Sequence, residues 1–239
     1  MPQDGKHTRV WHAQYAFTGD LDSVEASREV ATLETTAFGD DSRTYAKGQK
    51  DGAVSVSGFY SNTLDDATAA SYGGTDVPLS VSYGSTAGSN AYMVKAIESA
   101  VSTSNSVTEL IRMDVEYKPS VYGIEKGVLL LPETTTSGVV DTEGATYDRG
   151  VATATGGAYM ILHVTSAGAS GTLTVTVETN TASDFTGTAQ DYSFAAAGTS
   201  ETSEYVESST SPKRYARAGY VTTGESSAYT FAVTYGHAR

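Results

Sequence analysis

The chain has no cysteine among its 239 residues, and this absence removes several kinds of chemistry at once. Without thiols there can be no disulfide bond, no thiolate metal site and no cysteine nucleophile. Long helix-forming runs of Leu, Glu, Lys and Ala are also missing, whereas Gly, Tyr, Ser, Thr and Val are plentiful. Such a composition is typical of an all-β protein.

Long apolar runs and positive charge are scarce as well. No stretch approaches the roughly 20 apolar residues of a transmembrane helix, so we expect no membrane partner. The opening residues, MPQDGKHTRVWHAQY, lack the apolar segment of a signal peptide. The formal net charge is −13. Because an acidic surface repels phosphate, we do not expect tight binding of nucleic acid.

The sequence also lacks the motifs of common catalytic and metal sites. There is no GxSxG, Walker A, GxGxxG or HExxH pattern. A contribution of Asp20 and Asp22 to a calcium site stays open, although the rest of an EF-hand loop is missing. The four histidines share no metal-ligand spacing: His7, His12, His163 and His237. We therefore predict that the protein is not an enzyme, with no cofactor and no catalytic, cofactor-binding or metal-ligating residues.

Short alternating segments predict β-strands along the first half. AVSVSGFY (53–60) puts Val54, Val56 and Tyr60 on one face and Ser55, Ser57 and Phe59 on the other. ELIRMDVEYKPS (109–120) alternates more regularly, and Pro119 ends it. Its apolar face comprises Ile111, Met113, Val115 and Tyr117, and its charged face comprises Arg112, Asp114, Glu116 and Lys118. AYMVKAIESAV (91–101) fits either a helix or a strand, and the sequence does not choose between them.

One short helix interrupts the strands, and it is predicted over residues 64–72. Thr63 can cap it, and Asp65 and Asp66 suit the positive end of a helix dipole. The second half returns to strands. GTLTVTVETN points Leu173, Val175 and Val177 inward, and SAYTFAVTYG presents one strong apolar face: Tyr229, Phe231, Val233 and Tyr235.

A Thr- and Gly-rich segment near the middle predicts a boundary between two β-units. We place a first domain at 1–132, a linker at 133–144 and a C-terminal β-sandwich module at 145–239. Regular short strands separated by turns favour an antiparallel sandwich for this module.

The stretch LETTAFGDDSRTYAKGQKDGAVSVSGFY (33–60) combines a charged, Gly-containing loop with an alternating strand. It resembles the signature of the major tail tube proteins of long-tailed, siphovirus-type bacteriophages. That signature is a strand, T-T-F-G-D, a basic or aromatic loop, G-x-K-D-G and a strand ending S-G-F. This chain departs from it by Ala37, one extra residue between Thr36 and Phe38. The resemblance covers about residues 9–131.

The resemblance implies a mainly-β fold: a tail-tube-type β-sandwich or barrel with a short flanking helix, followed here by a second, Ig-like β-sandwich. It also implies a structural virion protein that is located in the tail and assembled in the host cytoplasm. Its main partner would be itself, in stacked rings, usually hexameric. Double-stranded DNA would pass through without specific binding during ejection, and other tail proteins would contact the ends of the tube.

By the same resemblance, the loop from Gly39 to Gly52 would reach the adjacent ring. Its expected contact residues are Gly39, Asp40, Asp41, Arg43, Tyr45, Lys47, Lys50 and Asp51. The charged face of the 109–119 strand supplies the candidates for the channel lining: Asp114, Glu116, Arg112 and Lys118. Arg112 and Lys118 could pair between neighbouring subunits.

The C-terminal module leaves an alternative open. It could decorate the outside of a tube or pack within the ring. It could also be a carbohydrate- or receptor-binding decoration of a phage tail or capsid.

Overall fold

The computed structural model describes residues 5–17, 19–38, 41–72, 74–121, 123–153, 156–224 and 228–237. Within these ranges the chain is mainly antiparallel β-structure with one α-helix, which confirms the predicted fold class. No helix in the described ranges is long and apolar enough to cross a membrane. The elements, after a short 3₁₀ helix at Gly5–His7, are β1 Arg9–His12, β2 Tyr15–Ala16, β3 Leu21–Glu34, β4 Tyr45–Phe59, α1 Asn62–Ser71, β5 Val77–Ser82, β6 Asn90–Ser106, β7 Glu109–Pro119, β8 Glu125–Thr135, β9 Val140–Glu143, β10 Tyr147–Thr153, β11 Ala158–Ser166, β12 Thr172–Asn180, β13 Gln190–Ser193, β14 Thr202–Ser208, β15 Lys213–Thr223 and β16 Thr230–His237.

Eleven of the described strands form one large curled sheet. Its main path runs β14–β11–β16–β8–β6–β5–β1–β2, and a branch of β7, β4 and β3 continues from β6. The branch is possible because β6 is 17 residues long. Its first residues pair with β5 and β8, and its remainder from Ala96 onward pairs with β7.

The segment 91–101 is therefore a strand. Its own pattern was ambiguous because Met93, Ile97 and Val101 have helical spacing. Hydrogen bonding to three neighbouring strands decides the outcome, since tertiary pairing overrides a weak local preference.

The core of the first half lies between the β3–β4–β7–β6 branch and the β1–β5 part of the sheet. Val54 and Val56 of β4 are buried, as the alternation predicted. Met113, Val115 and Tyr117 of β7 are buried as well. Ile111 is 45% exposed, because β7 there runs beyond its last register pair with β4.

Helix α1 packs against this core through Leu64 and Ala67. It begins two residues before the predicted start, and Ser61 rather than Thr63 is its N-cap. The Ser61 hydroxyl accepts a hydrogen bond from the Leu64 backbone N–H at 3.2 Å. Ser61 takes this role because its backbone is extended, as an N-cap requires.

The second half is a two-layer sandwich. The strands β14, β11 and β16 of the large sheet face a separate five-stranded sheet, in which β10, β15, β12 and β13 follow one another and β9 also pairs with β15. The predicted inward residues are buried in the shared core: Leu173, Val175, Val177, Tyr229, Phe231, Val233 and Tyr235. Ala232 and Thr234 are buried on the other face of β16, where Ala232 packs in a cluster with Trp11 and Leu129 and the Thr234 hydroxyl lies 2.9 Å from that of Ser80.

The two halves are joined by backbone hydrogen bonds between β8 and β16. The segment proposed as a linker, 133–144, includes the end of β8 and all of β9, which pairs with β15. The division into domains at 1–132 and 145–239 stays a prediction.

Candidate assembly surface

The candidate surface is the branch β3–β4–β7–β6, whose part along β7 has one face on the core and the other in solvent. Along β7, Met113, Val115 and Tyr117 alternate with the more accessible side chains at 112, 114, 116 and 118. The four proposed channel residues therefore share one wet face of a sheet. In register with them, Ser57 faces Asp114 and Ser55 faces Glu116.

Carboxylates predominate on this face. β3 and β4 add Glu25, Glu29 and Asp51, with Glu29 directly opposite Asp51. The two cations of β7 already have partners within the chain. The Arg112 guanidinium lies 2.7 Å from the Asp22 carboxylate, and the Lys118 ammonium lies 3.1 Å from Glu116.

The branch has unpaired strand edges. Among the described strands β3 pairs only with β4, so its other edge is open over Leu21–Glu34. Within the described ranges, β6 pairs only with β7 beyond Ala96. Open edges present backbone N–H and C=O groups that can pair with another chain.

The charged segment at the start of the family-like stretch is mostly a strand rather than a loop. β3 and β4 form a long ribbon, and the connection between them covers only residues 35–44. Tyr45, Lys47, Lys50 and Asp51 therefore lie within β4, which is a correction to the predicted loop of 39–52. The error arose because most of this ribbon is exposed on both faces, so burial imposes no apolar alternation on it.

The turn of the ribbon holds the remaining predicted contact residues. Asp41 and Arg43 lie in it, and the Arg43 guanidinium is 3.9 Å from the Glu34 carboxylate. Hydroxyls of Thr35 and Thr44 are hydrogen-bonded across its base at 3.2 Å. Gly39 and Asp40, also predicted as contacts, lie outside the described residues.

The root of the ribbon is fixed to the body of the protein. The Lys50 ammonium lies 2.6 Å from the Glu125 carboxylate of β8. Gly52 permits a close approach, because a Cβ at this position would overlap the Ser27 carbonyl oxygen and crowd the Ile124 side chain. Asp51 is oriented locally, since its carboxylate accepts a hydrogen bond from the Gly52 N–H at 2.7 Å.

Between the ribbon and the body lies a cleft of about 390 Å³. Tyr159 of β11 forms part of its wall, and the tyrosine hydroxyl lies 3.1 Å from the backbone carbonyl oxygens of Lys126 and His237. Burial raises the pKa of Tyr159 well above its ordinary value, so the hydroxyl stays protonated and acts as a donor. No group of His, Asp or Glu in the described ranges is arranged to hold a metal ion.

A second hairpin on this surface was missed by the sequence analysis. The ends of β6 and β7 form an arm around Val107, which is fully exposed, and Leu110 is 69% exposed. The sequence does carry a signal for this arm. Val107, Leu110 and Ile111 lie close together beside a polar Ser/Thr segment, without the alternation that a buried strand would show.

The fold and surface define an all-β protein with one wet, acidic sheet face and two projecting hairpins. No protein-family model and no curated protein matches the sequence. Among solved structures, the chain is similar to a protein in the virion of a native gene transfer agent particle, with a TM-score of 0.43, 12% identity, and coverage of 52% of this chain and 98% of that one. It is similar to the SPP1 tail tube protein, with a TM-score of 0.44 and 13% identity over 52% of this chain and 78% of that one. The SPP1 Dit protein, from a hub adsorption apparatus, aligns over 96% of this chain and 99% of its own, with a TM-score of 0.38 and 11% identity.

Proposed function

We propose that this protein is a structural subunit of a bacteriophage tail tube, which self-assembles into stacked rings around a channel for DNA. The observation that carries the proposal is the branch β3–β4–β7–β6, with open edges at β3 and β6. Exposed edges of this length favour pairing with another chain unless they are protected. Pairing of β3 in one copy with β6 in the next would continue the sheet, and a constant rotation between copies would close it into a ring.

The wet face of the branch supports a channel lining. In a closed ring one face of the sheet points to the bore and the other to the cores of the subunits. Since the apolar face is already buried within each subunit, the acidic face with Asp114 and Glu116 would line the bore. A lining of carboxylates repels DNA phosphates, so the duplex would slide through without specific binding.

The long β3–β4 ribbon supports contact between rings. It extends past the end of β7 and carries Tyr45, Lys47 and Asp51, together with Asp41 and Arg43 in its turn. In this proposal its tip docks on the adjacent ring of a hexameric stack located in the virion tail. The C-terminal sandwich would decorate the tube, and other tail proteins would contact the tube ends.

Electron microscopy of the purified protein at high concentration tests the assembly. We expect rings or tubes with a central hole of roughly 20 Å or more, the width needed to clear a B-DNA duplex. A protein that stays monomeric under these conditions, and forms no tubes in its parent particle, would contradict the proposal.

A triple variant tests the role of the ribbon. Replacing Lys47 and Lys50 by alanine and Asp51 by asparagine should weaken stacking of rings more than folding of the monomer. The matched control neutralises Lys95 and Asp76, which form an ion pair of 3.2 Å away from the ribbon. If stacking is the same in both variants, the ribbon is not the contact between rings.

A further inference from the structure

The two hairpins of the branch project from opposite ends of the same sheet. The register of β4 with β7 fixes this, since Val54 is opposite Tyr117 and Phe59 is opposite Arg112. The β3–β4 ribbon continues beyond the Val54 end, and the β6–β7 hairpin continues beyond the Phe59 end. In a head-to-tail stack the β6–β7 hairpin of one copy would therefore face the β3–β4 end of the next.

The tip of the β6–β7 hairpin is apolar and acidic. Its turn is Val107–Thr108, between Ser106 of β6 and Glu109 of β7. Two-residue hairpin turns favour Asn-Gly or Asp-Gly with positive φ, but neither Val107 nor Thr108 has a positive φ. Turn geometry thus gives no reason for a fully exposed, β-branched Val107 at this point. A contact with another molecule does.

The cleft beneath the β3–β4 ribbon offers complementary chemistry. Its lining includes four cations and one exposed apolar side chain: Arg28, Lys47, Lys50, Lys126 and Val30. Glu125 neutralises Lys50. Glu29 and Asp51 also border the cleft, so four cations and three carboxylates line it. In the described part of the chain Arg28, Lys47 and Lys126 have no ion-pair partner, which leaves the cleft positive in a protein of net charge −13.

We infer that the β6–β7 hairpin is a second stacking arm, whose tip inserts into the cleft beneath the β3–β4 ribbon of the next copy. Val107 packs against Val30, which is 47% exposed, and Glu109 lies among Arg28 and Lys126. The contact joins two different surfaces, so it is heterologous and propagates as an open stack rather than closing on itself. This inference rests on the proposed tail-tube function. It adds that each subunit carries a cleft that receives the hairpin of the next copy.

Disulfide trapping tests this contact in the full-length chain, which has no native cysteine to interfere. The variant with Val107→Cys and Lys126→Cys, oxidised after assembly, should give a ladder of covalent multimers that collapses to monomer on reduction. Val107→Cys combined with Thr174→Cys, on the exposed outer face of β12, is the matched control and should give no ladder.

Charge reversal gives an independent reading of the same contact. Glu109→Lys should abolish tubes of more than a few rings, and adding Lys126→Glu should restore them. Tubes that form normally without a 107–126 ladder would overturn the second arm and leave the tail-tube function standing. Failure of the unmodified protein to form rings or tubes would overturn both.

Discussion

The imidazole Nδ1 of His163 lies 2.7 Å from the carbonyl oxygen of Ala13, which is 150 positions away in the sequence. Because a carbonyl oxygen only accepts, Nδ1 carries the proton and Nε2 accepts a hydrogen bond from the Ser80 hydroxyl at 2.9 Å. The Ser80 oxygen lies 2.9 Å from the Thr234 hydroxyl in turn. This buried chain of hydrogen bonds ties β5 and the turn after β1 to β11 and β16. The two halves of the sequence are thus joined by a polar network as well as by the β8–β16 pairing.

Replacing His163 by leucine should destabilise the fold. The change keeps an apolar side chain in the site but leaves the Ala13 carbonyl and the Ser80 hydroxyl without this partner in a buried place. We expect a loss of about 2 to 4 kcal/mol in the free energy of unfolding. Urea denaturation measures it, with His7→Gln as the control, because His7 is exposed and should change stability by no more than about 0.5 kcal/mol. Equal midpoints for the two variants would show that the network contributes nothing.

Two buried histidines, His163 and His12, should make the protein sensitive to mild acid. Burial lowers the pKa of His163 from 6.5 to about 4 and that of His12 to about 3. The folded state therefore holds both rings neutral, and the unfolded chain binds protons first as the pH falls. The stabilising contribution of the neutral rings is fully present above pH 6.5. The free energy of unfolding then declines between pH 6.5 and about 4, by about 1.4 kcal/mol per pH unit for each histidine.

Urea midpoints measured across that pH range check the effect. Burial raises the pKa of Glu98 above its ordinary value of 4.5, so protonation of this carboxyl stabilises the fold as the pH falls just above 4.5. The steepest decline in unfolding free energy should therefore lie nearer to pH 6.5. In His163→Leu the pH slope should fall to about half, since only one of the two buried histidines, His12, then remains. An unchanged slope in that variant would assign the acid sensitivity to other groups.

Gly52 should be required for the position of the β3–β4 ribbon. A methyl group there would overlap the Ser27 carbonyl oxygen, so Gly52→Ala must displace β3 or the Ile124 side chain. We expect a loss of about 1 to 3 kcal/mol in unfolding free energy. We also expect faster amide exchange along β3.

Gly219→Ala in β15 is the control, because nothing lies within 4 Å of a Cβ at that position. Replacing this strand glycine by alanine should leave stability unchanged or slightly higher. If both glycine variants were equally stable, the close approach of β3 to Gly52 would be disproved.

The alternating strands could be predicted from the sequence because one of their faces is buried. Val54, Val56 and Met113 follow a period of two, since burial selects apolar side chains on one face only. The ribbon around Lys47 and the arm around Val107 could not be predicted in this way. Both project into solvent, where hydrogen bonding rather than burial keeps the strands together.

Pairing between segments that are distant in the chain could not be predicted from the sequence either. The β8–β16 pairing and the His163–Ala13 bond join segments that are distant in the chain, and no local pattern marks either partner. The charged face of β7 is the part of the candidate surface that the sequence specified best. Arg112, Asp114, Glu116 and Lys118 lie together on the solvent side, as their spacing predicted.

Reversing the charge of that face should convert a repelling bore into one that retains DNA. In the proposed tube, Asp114→Lys with Glu116→Lys places cations around the channel in every subunit. Both positions are at least partly solvent-accessible, so the fold should lose no more than about 1 kcal/mol and tubes should still form. A short DNA duplex present during assembly should then be retained at low salt and protected from nuclease, whereas tubes of the unmodified protein should release it.

The control carries the same reversals on the outer sheet of the second half, at Asp141 and Asp191, which are both exposed. DNA bound there should remain accessible to nuclease. If DNA on the 114/116 variant were digested as fast as on this control, the charged face of β7 would not line the channel. The solvent face of β7 would then point away from the bore. Its opposite face cannot line the bore, because that face is buried in the core of each subunit.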